Sequence, residues 1–400
     1  MTSGKATVDY SVRCLAAATA NLPTFHCPIL MNSKPSSLQP KSATILVIAM
    51  RYLGDVLLTT PLIRSLRQAY PDARLDVLVF RNTAAMLEGN PDINHIITTP
   101  NRPKFADYRQ LFRQLFRQYD LAIATQAGDR PFLYALLAAP LRVAVVPPKN
   151  ATGWWKRFFV QHWTEFDDDD THTVLQHLKL LDLIHVPRCF SLVPPQVGNA
   201  QQLVKQFSFL ADKADYAVLH PHPQWTYKQW TVAGWVEVGL YLRKLGLKLV
   251  LSGGPAQDEI DYVANIQHQL PEDTINLAGR VSLAQLAHII AQAKLYIGPD
   301  TGITHLAAAT GIPVVALYGP TNPVKWAPWP VGYQQNINPF HKKGSQHVNN
   351  VHLIQGKTDC VPCHLEGCDQ HQQSRSQCLD LLTPQTVKEA VSQMLGSSVV

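Results

Sequence analysis

The sequence lacks any run of the roughly 18 to 20 apolar residues that a membrane-spanning helix needs, which removes helical integral membrane proteins from consideration. It also lacks a Walker A loop and a G-x-G-x-x-G turn, so neither a P-loop nucleotidase nor a dinucleotide-dependent enzyme is indicated. Charge is sparse. Only 16% of residues are charged and the net charge of +6 falls well short of a nucleic-acid footprint, although it favours an anionic substrate or an anionic membrane surface. What remains is a 400-residue chain that is 46% apolar, the profile of a globular enzyme with two cores rather than one.

Residues 1–40 carry no sustained periodicity and are rich in Ser, Thr, Ala, Pro and Lys. Their longest apolar stretch, Cys14 to Ala20, is interrupted by Thr19 and lacks the basic, apolar, small-residue order of a signal peptide. A disordered leader and a cytoplasmic address are therefore expected. Four of the seven cysteines fall late, at Cys360, Cys363, Cys368 and Cys378. The first pair has zinc-knuckle spacing, but the set is irregular, so reduced thiols are the expectation ahead of a structural metal site.

The fully apolar, β-branched run Thr44–Ala49 reads as a buried parallel strand, followed by the loop RYLGD, one helix over Val56–Tyr70 and a second strand over Leu75–Phe80. This strand–helix–strand rhythm continues to Val146, breaks at the Pro- and Gln-rich stretch 194–200, and restarts at Tyr216. Two successive α/β halves predict twin doubly wound domains, whose ligands bind beyond the carboxyl ends of the strands.

Several short stretches fall at such ends. Arg51 to Asp55 follows the first strand; Asp55 reads either as a helix cap or as a general base. After the strand ending at His220 comes PHPQWTYKQW, where Lys228 is either a surface lysine or a charge for a diphosphate, and Trp230 reads as packing. Ser252-Gly253-Gly254-Pro255 precedes Asp258 and Glu259, acids that either hold ribose hydroxyls or favour a helix N-terminus. Gly279 lies in a similar short loop. The turn Gly298-Pro299-Asp300-Thr301-Gly302, with His305 one helical turn further, opens an alanine helix whose N-terminus suits an anion. The acidic run Asp167 to Asp170 reads as a solvated loop rather than a metal site, and His172 and His177 are not spaced as a zinc pair. The cluster Trp154 to Phe159 is either an exposed surface for lipid or sugar, or core with flanking charges.

Together these stretches resemble glycosyltransferase family 9, the ADP-heptose:lipopolysaccharide heptosyltransferases, with the heptosyltransferase III branch most similar. The words that carry the resemblance are MRYLGDVLLTTPLIRSLRQAYPDARLDVLVF, from Met50, and GPDTGITHLAAATGIPVVALYGPTNPVKWAPW, from Gly298. The resemblance implies a GT-B architecture: two Rossmann-like doubly wound domains facing a central cleft. Residues 41–193 would bind the acceptor, residues 201–400 the nucleotide-sugar, and a helix over Thr383–Leu395 would cross back to close the fold. It further implies Asp55 as the base, with Arg51 and Gly54 on the acceptor side. Lys228, Asp300, Thr301, Gly302 and His305 would meet the diphosphate and sugar, with Asp258 or Glu259 at the ribose and Gly279 beside them.

The reaction so implied is an inverting, metal-independent transfer of heptose from ADP-L-glycero-D-manno-heptose to the inner core of lipopolysaccharide. No cofactor is expected. The expected partners are the ADP-sugar donor and a lipid A–core oligosaccharide acceptor, met by a monomer at the cytoplasmic face of the inner membrane, without nucleic acid. The rival readings are a family member with another nucleotide-sugar or acceptor, and a catalytically silent nucleotide-sugar-binding protein with a cysteine tail.

Overall fold

The computed structural model describes residues 43–211 and 214–396; the leader expected over 1–40 lies outside the described residues. The first sheet is built from β1 (Thr44–Ile48), β2 (Arg74–Phe80), β3 (His95–Thr99), β4 (Leu121–Ala124), β5 (Leu141–Val146) and β6 (His162–Glu165). Its order is β3-β2-β1-β4-β5-β6 and every pairing is parallel. Parallel pairing demands crossovers, and the apolar stripes of the intervening helices cover both faces. These helices are α1 (Leu53–Leu57), α2 (Thr60–Ala69), α3 (Phe105–Leu115) and α4 (Asp129–Ala138). α5 (Thr173–Asp182) packs on α2, and α6 (Ala200–Gln206) follows an extended connection.

The second sheet comprises β7 (Tyr216–Leu219), β8 (Lys248–Leu251), β9 (Ile275–Asn276), β10 (Leu295–Pro299), β11 (Val314–Tyr318), β12 (Gln346–Val348) and β13 (Val351–Gln355). Its order is β12-β13-β11-β10-β7-β8-β9, parallel except for the β12–β13 hairpin. The helices between are α7 (Val232–Lys244), α8 (Gln257–Gln267), α9 (Leu283–Ala291), α10 (Gly302–Thr310) and the short α11 (Pro323–Trp326). α12 (Gln377–Asp380) and α13 (Pro384–Leu395) end the described chain. In each sheet the strand order reverses once, between β1 and β4 and between β7 and β10, and such switch points open a crevice at the strand carboxyl ends.

Two expectations need correction. The single helix over 56–70 is two. Pro61 has no N–H to donate and its ring crowds the preceding turn, while Thr59 and Thr60 turn their hydroxyls back onto the carbonyls of Asp55 and Leu57 at 2.9 and 2.7 Å. The C-terminal helix does not leave its own half. α13 packs on α7, β11 and β13, with Val387, Ala390 and Val391 buried among the apolar residues of the second sheet. The acidic run is solvated as expected, with Asp168, Asp169 and Asp170 exposed, and it is also ordered: Asp167 accepts the N–H groups of Asp169 and Asp170 and the hydroxyl of Thr171, which ties the run into a compact turn.

That turn docks on the second half. Asn322 donates to the carbonyl of Asp169 at 2.9 Å, Asn338 donates to that of Asp170 at 2.7 Å, and the buried Lys325 ammonium donates to that of Asp167. Next to it His172 caps α5 by accepting the N–H of Val174 on Nδ1, so its Nε2–H donates to the carbonyl of Ala327 at 2.8 Å. Burial holds this imidazole's pKa down to about 3, which suits a fixed neutral tautomer. Periodicity cannot reveal such a junction, because its partners lie some 150 residues apart and meet through backbone carbonyls.

Candidate functional site

The two sheets meet where α1 and α10 abut. A Cβ placed on Gly54 would stand 3.1 Å from Cδ2 of His305 and 3.5 Å from Cα of Gly302; one on Gly302 would stand 3.1 Å from the nitrogen of Gly54 and from Cβ of Leu53. Both glycines are thus required by the closeness of the two backbones. Their contact brings the Gly-Asp word of the first half against the Asp-Thr-Gly word of the second.

Asp55 sits in the first turn of α1, and its side chain makes no cap: the N-cap is Tyr52. The carboxylate is 8% exposed and lies 3.1 Å from Nε of Arg51, whose guanidinium rests 5.2 Å over the ring of Trp326. Burial pushes its pKa up to about 6, against the pull of Arg51, of its own backbone hydrogen bond, and of Lys325 and Lys228. A carboxyl so placed is ionised near neutral pH yet far more basic than an ordinary aspartate. Those are the properties of a general base.

Facing it, Lys228 reaches Asp300 at 2.6 Å and lies 5.2 and 5.7 Å over the rings of Trp225 and Tyr227. Burial alone would raise the Asp300 pKa, but the charge and hydrogen bond of Lys228, with help from Thr321 and His305, hold it below the ordinary range. The pair is therefore an ionised one. His305 is buried and, chiefly for that reason, held down to about 4; its Nδ1 has no hydrogen-bond partner. It presents a neutral imidazole to the α1–α10 contact. Thr301 is the N-cap of α10 and accepts the N–H of Thr304 at 3.3 Å. The hydroxyl of Thr304 in turn donates to the carbonyl of Pro299, and as at any helix start the first N–H groups of α10 have no intrahelical partner.

The remaining candidates form a second group along the carboxyl ends of β8 and β9. Glu259, in the first turn of α8, accepts the N–H of Gly254 at 2.5 Å, while Asp258 beside it is exposed. Gly279 adopts φ +69° and donates its N–H to the carbonyl of Gly253 at 3.1 Å, so its freedom serves the turn itself. Near this group lies His222, its ring 5.2 Å from that of Tyr262, within the field of Asp258 and Glu259, and its Nδ1 unpartnered. Trp230 is fully buried and donates to the carbonyl of Leu382, a packing residue as its sequence context implied.

The structure adds residues that sequence reasoning passed over. Lys325 bears on Asp55 through its charge and Trp326 through Arg51, and burial, ahead of the opposing charges of Asp168 and Asp167, lowers the Lys325 pKa to about 8. Tyr52 and Trp225 meet edge to face at 5.3 Å across the crevice. The one available signal was a lysine inside the aromatic, proline-rich word PVKWAPW. His177 is buried with Thr59 at 3.3 Å, which explains its presence without a metal. Cys189, Cys360, Cys363, Cys368 and Cys378 are free thiols, and among the described residues no group of three or more His, Cys, Asp or Glu is placed to hold a metal ion.

Comparison with known proteins gives a consistent picture. The family model described as glycosyltransferase family 9 (heptosyltransferase) matches residues 108–353. Lipopolysaccharide heptosyltransferase 3 of Escherichia coli K12 is 30% identical over 315 residues, which span 76% of this chain and 90% of that one. The lipopolysaccharide core heptosyltransferase OpsX of Haemophilus influenzae is 24% identical, over 72% and 82% of the two chains. Among solved structures, a family 9 glycosyl transferase from Veillonella parvula superposes with a TM-score of 0.71 at 21% identity, covering 89% of this chain and 98% of that one. The E. coli ADP-heptose lps heptosyltransferase II superposes at 0.66 and 23% identity, covering 88% and 98%. These two likenesses concern the fold: two Rossmann-like halves about a crevice, the GT-B arrangement.

Proposed function

The chain belongs to glycosyltransferase family 9, and from that premise we propose that it transfers heptose from ADP-L-glycero-D-manno-heptose to the inner core of lipopolysaccharide with inversion at the anomeric carbon. The observation that carries the reading is the buried Asp55 carboxylate, raised to about 6 and set against the N-terminus of α10.

In this reading Asp55 takes the proton of the acceptor hydroxyl as its oxygen forms the new bond to the anomeric carbon. The bond from that carbon to the distal phosphate of ADP breaks in the same step, and ADP leaves with the electron pair. Arg51, anchored on Trp326, orients the Asp55 carboxylate, and Gly54 leaves room on the acceptor side. The negative charge that grows on the departing diphosphate is met by the Lys228 ammonium and the free N–H groups of α10 at Thr301 and Gly302, donors fixed before the reaction starts. Asp300 holds Lys228 in place, and neutral His305 offers its unpartnered Nδ1 to a sugar hydroxyl. Asp258 and Glu259, with Gly279 behind them, border the space for the ribose. With a lysine and a helix terminus on the leaving group the reading assigns no step to a metal ion. The chain would act as a monomer at the cytoplasmic face of the inner membrane, where a lipid-linked acceptor is found.

A transfer assay with purified protein tests this. ADP-heptose should be consumed only when a heptose-ended core acceptor is present, and Asp55→Ala should abolish turnover while ADP binding stays near wild type. Equal use of UDP-sugars would overturn the donor assignment, and surviving turnover in Asp55→Ala would overturn the base.

A further inference from the structure

α3, α4 and the 3-10 turn Trp154–Phe159 lie on the same face of the first sheet, where Leu111, Leu115, Phe132 and Val160 pack on Leu46 and Ile48. The outer side of this layer is unlike the rest of the described surface. Of fifteen large hydrophobic side chains exposed among the described residues, nine stand here: Phe105, Tyr108, Phe112 and Phe116 along α3, Leu133 on α4, and four of the six residues in the turn. The other six are scattered through the chain, so the clustering is a property of this layer.

The arrangement along α3 is ordered. Spacings of three, four and four residues put the aromatic side chains in one stripe beside buried Leu111 and Leu115, and Arg109, Arg113 and Arg117 follow at intervals of four on the outer flank. Phe112 and Phe116 stack on each other at 4.8 Å, and Arg117 rests 5.5 Å over Phe116. In the turn, Trp154 and Phe158 meet at 5.7 Å and Trp155 and Phe159 at 5.8 Å, while buried Lys156 anchors the turn to Asp129 and to the carbonyl of Ala127. The rings are thus held outward by a built base.

Charge points the same way. Residues 102–117 and 129–157 contain ten basic and two acidic residues, more than the whole net charge of +6, so the rest of the chain is slightly acidic. Arg102, Arg109, Arg113 and Lys149 have no carboxylate partner among the described residues. A ridge of rings bordered by unneutralised arginines suits a phospholipid interface, where rings enter the headgroup region and cations meet phosphates. A second copy of the same face would repel it.

We propose that this aromatic and arginine layer docks the protein on an anionic phospholipid bilayer. The docking stands on the layer itself; only the idea that this bilayer carries the acceptor rests on the function proposed above. The turn Trp154–Phe159 follows the carboxyl end of β5, the same edge of the sheet from which Asp55's loop leaves β1, so a docked layer holds the site mouth beside the membrane.

Co-sedimentation of the full chain with vesicles tests it, comparing phosphatidylglycerol–phosphatidylethanolamine mixtures with pure phosphatidylcholine. Wild type should partition onto the anionic vesicles and be released by salt. Arg109→Glu with Arg113→Glu should weaken that partition by roughly tenfold or more, and Phe105→Ser with Phe112→Ser should weaken it comparably. Both variants should transfer heptose to a deacylated, water-soluble acceptor within about twofold of wild type, a readout that also shows they fold. The inference is overturned if wild type ignores anionic vesicles, if the variants bind as wild type does, or if the layer mediates self-association instead. Vesicle binding without transfer to any acceptor would sink the proposed function and leave the docking standing; transfer without vesicle binding would do the reverse.

Discussion

Replacing Asp55 by asparagine tests both the electrostatics and the role of the site. The aspartate carboxyl is held at about 6 in the folded protein rather than at the ordinary 3.8, mainly by burial. Between these values the folded state binds more protons than the unfolded one, so stability is highest below the unfolded value and falls as pH rises through the folded one. At about 1.4 kcal/mol per pH unit, the raised pKa costs about 3 kcal/mol above pH 7 and only about 0.5 kcal/mol at pH 4. Asparagine keeps the shape and does not ionise. Asp55→Asn should therefore be more stable than wild type by about 2–3 kcal/mol at pH 8 and close to equal at pH 4. The attraction to Arg51 does not disturb the comparison, since it is already contained in the raised value at pH 8 and is absent from both proteins at pH 4. The assay is thermal or denaturant unfolding at the two pH values, beside a transfer assay in which the variant should be inactive. In wild type the transfer rate should fall about tenfold per pH unit below pH 6, as the base becomes protonated. A variant whose gain is the same at both pH values, or absent at pH 8, would refute the claim that this carboxyl is strained by burial.

Lys228→Met should leave the buried Asp300 carboxylate without its partner and cost about 3 kcal/mol or more, while adding Asp300→Asn should recover much of that loss; unfolding curves of the three proteins measure the coupling. Gly302→Ala puts a methyl group 3.1 Å from the nitrogen of Gly54, so it should cost about 1–3 kcal/mol and slow transfer by parting α1 from α10. An unchanged melting temperature together with an unchanged rate would show that the helices do not meet there. His172→Ala removes the cap of α5 and the donor to Ala327, and should cost about 2–4 kcal/mol. Hydrogen exchange should then rise in 167–172 and 322–327 together, because the two segments hold each other.

By itself the sequence determined the elements and their kind. β-branched apolar runs become parallel strands whose crossovers must cover both faces, and so two doubly wound halves could be read from pattern alone. The words at the strand ends were legible too, because glycine, a small polar cap and one carboxylate at a helix start are local chemistry. What pattern could not give was which ends would meet. The glycines of α1 and α10 were read as ligand-side residues, whereas their first task is to let two backbones approach. The acidic run is the solvated segment it looked like, but its docking could not be read, because its backbone carbonyls meet Asn322, Lys325 and Asn338 far along the chain. Lys325 has an ordinary local context, and only its burial beside Asp55 makes it part of the site. The outward aromatic stripe of α3 was likewise not legible: α3 buries Leu111 and Leu115 and leaves Phe105, Tyr108, Phe112 and Phe116 exposed, a division that depends on what the rest of the fold covers. Sequence fixes what each segment can form, since that depends on neighbours a few bonds away. Burial, pKa and exposure depend on neighbours in space, and those the tertiary fold decides.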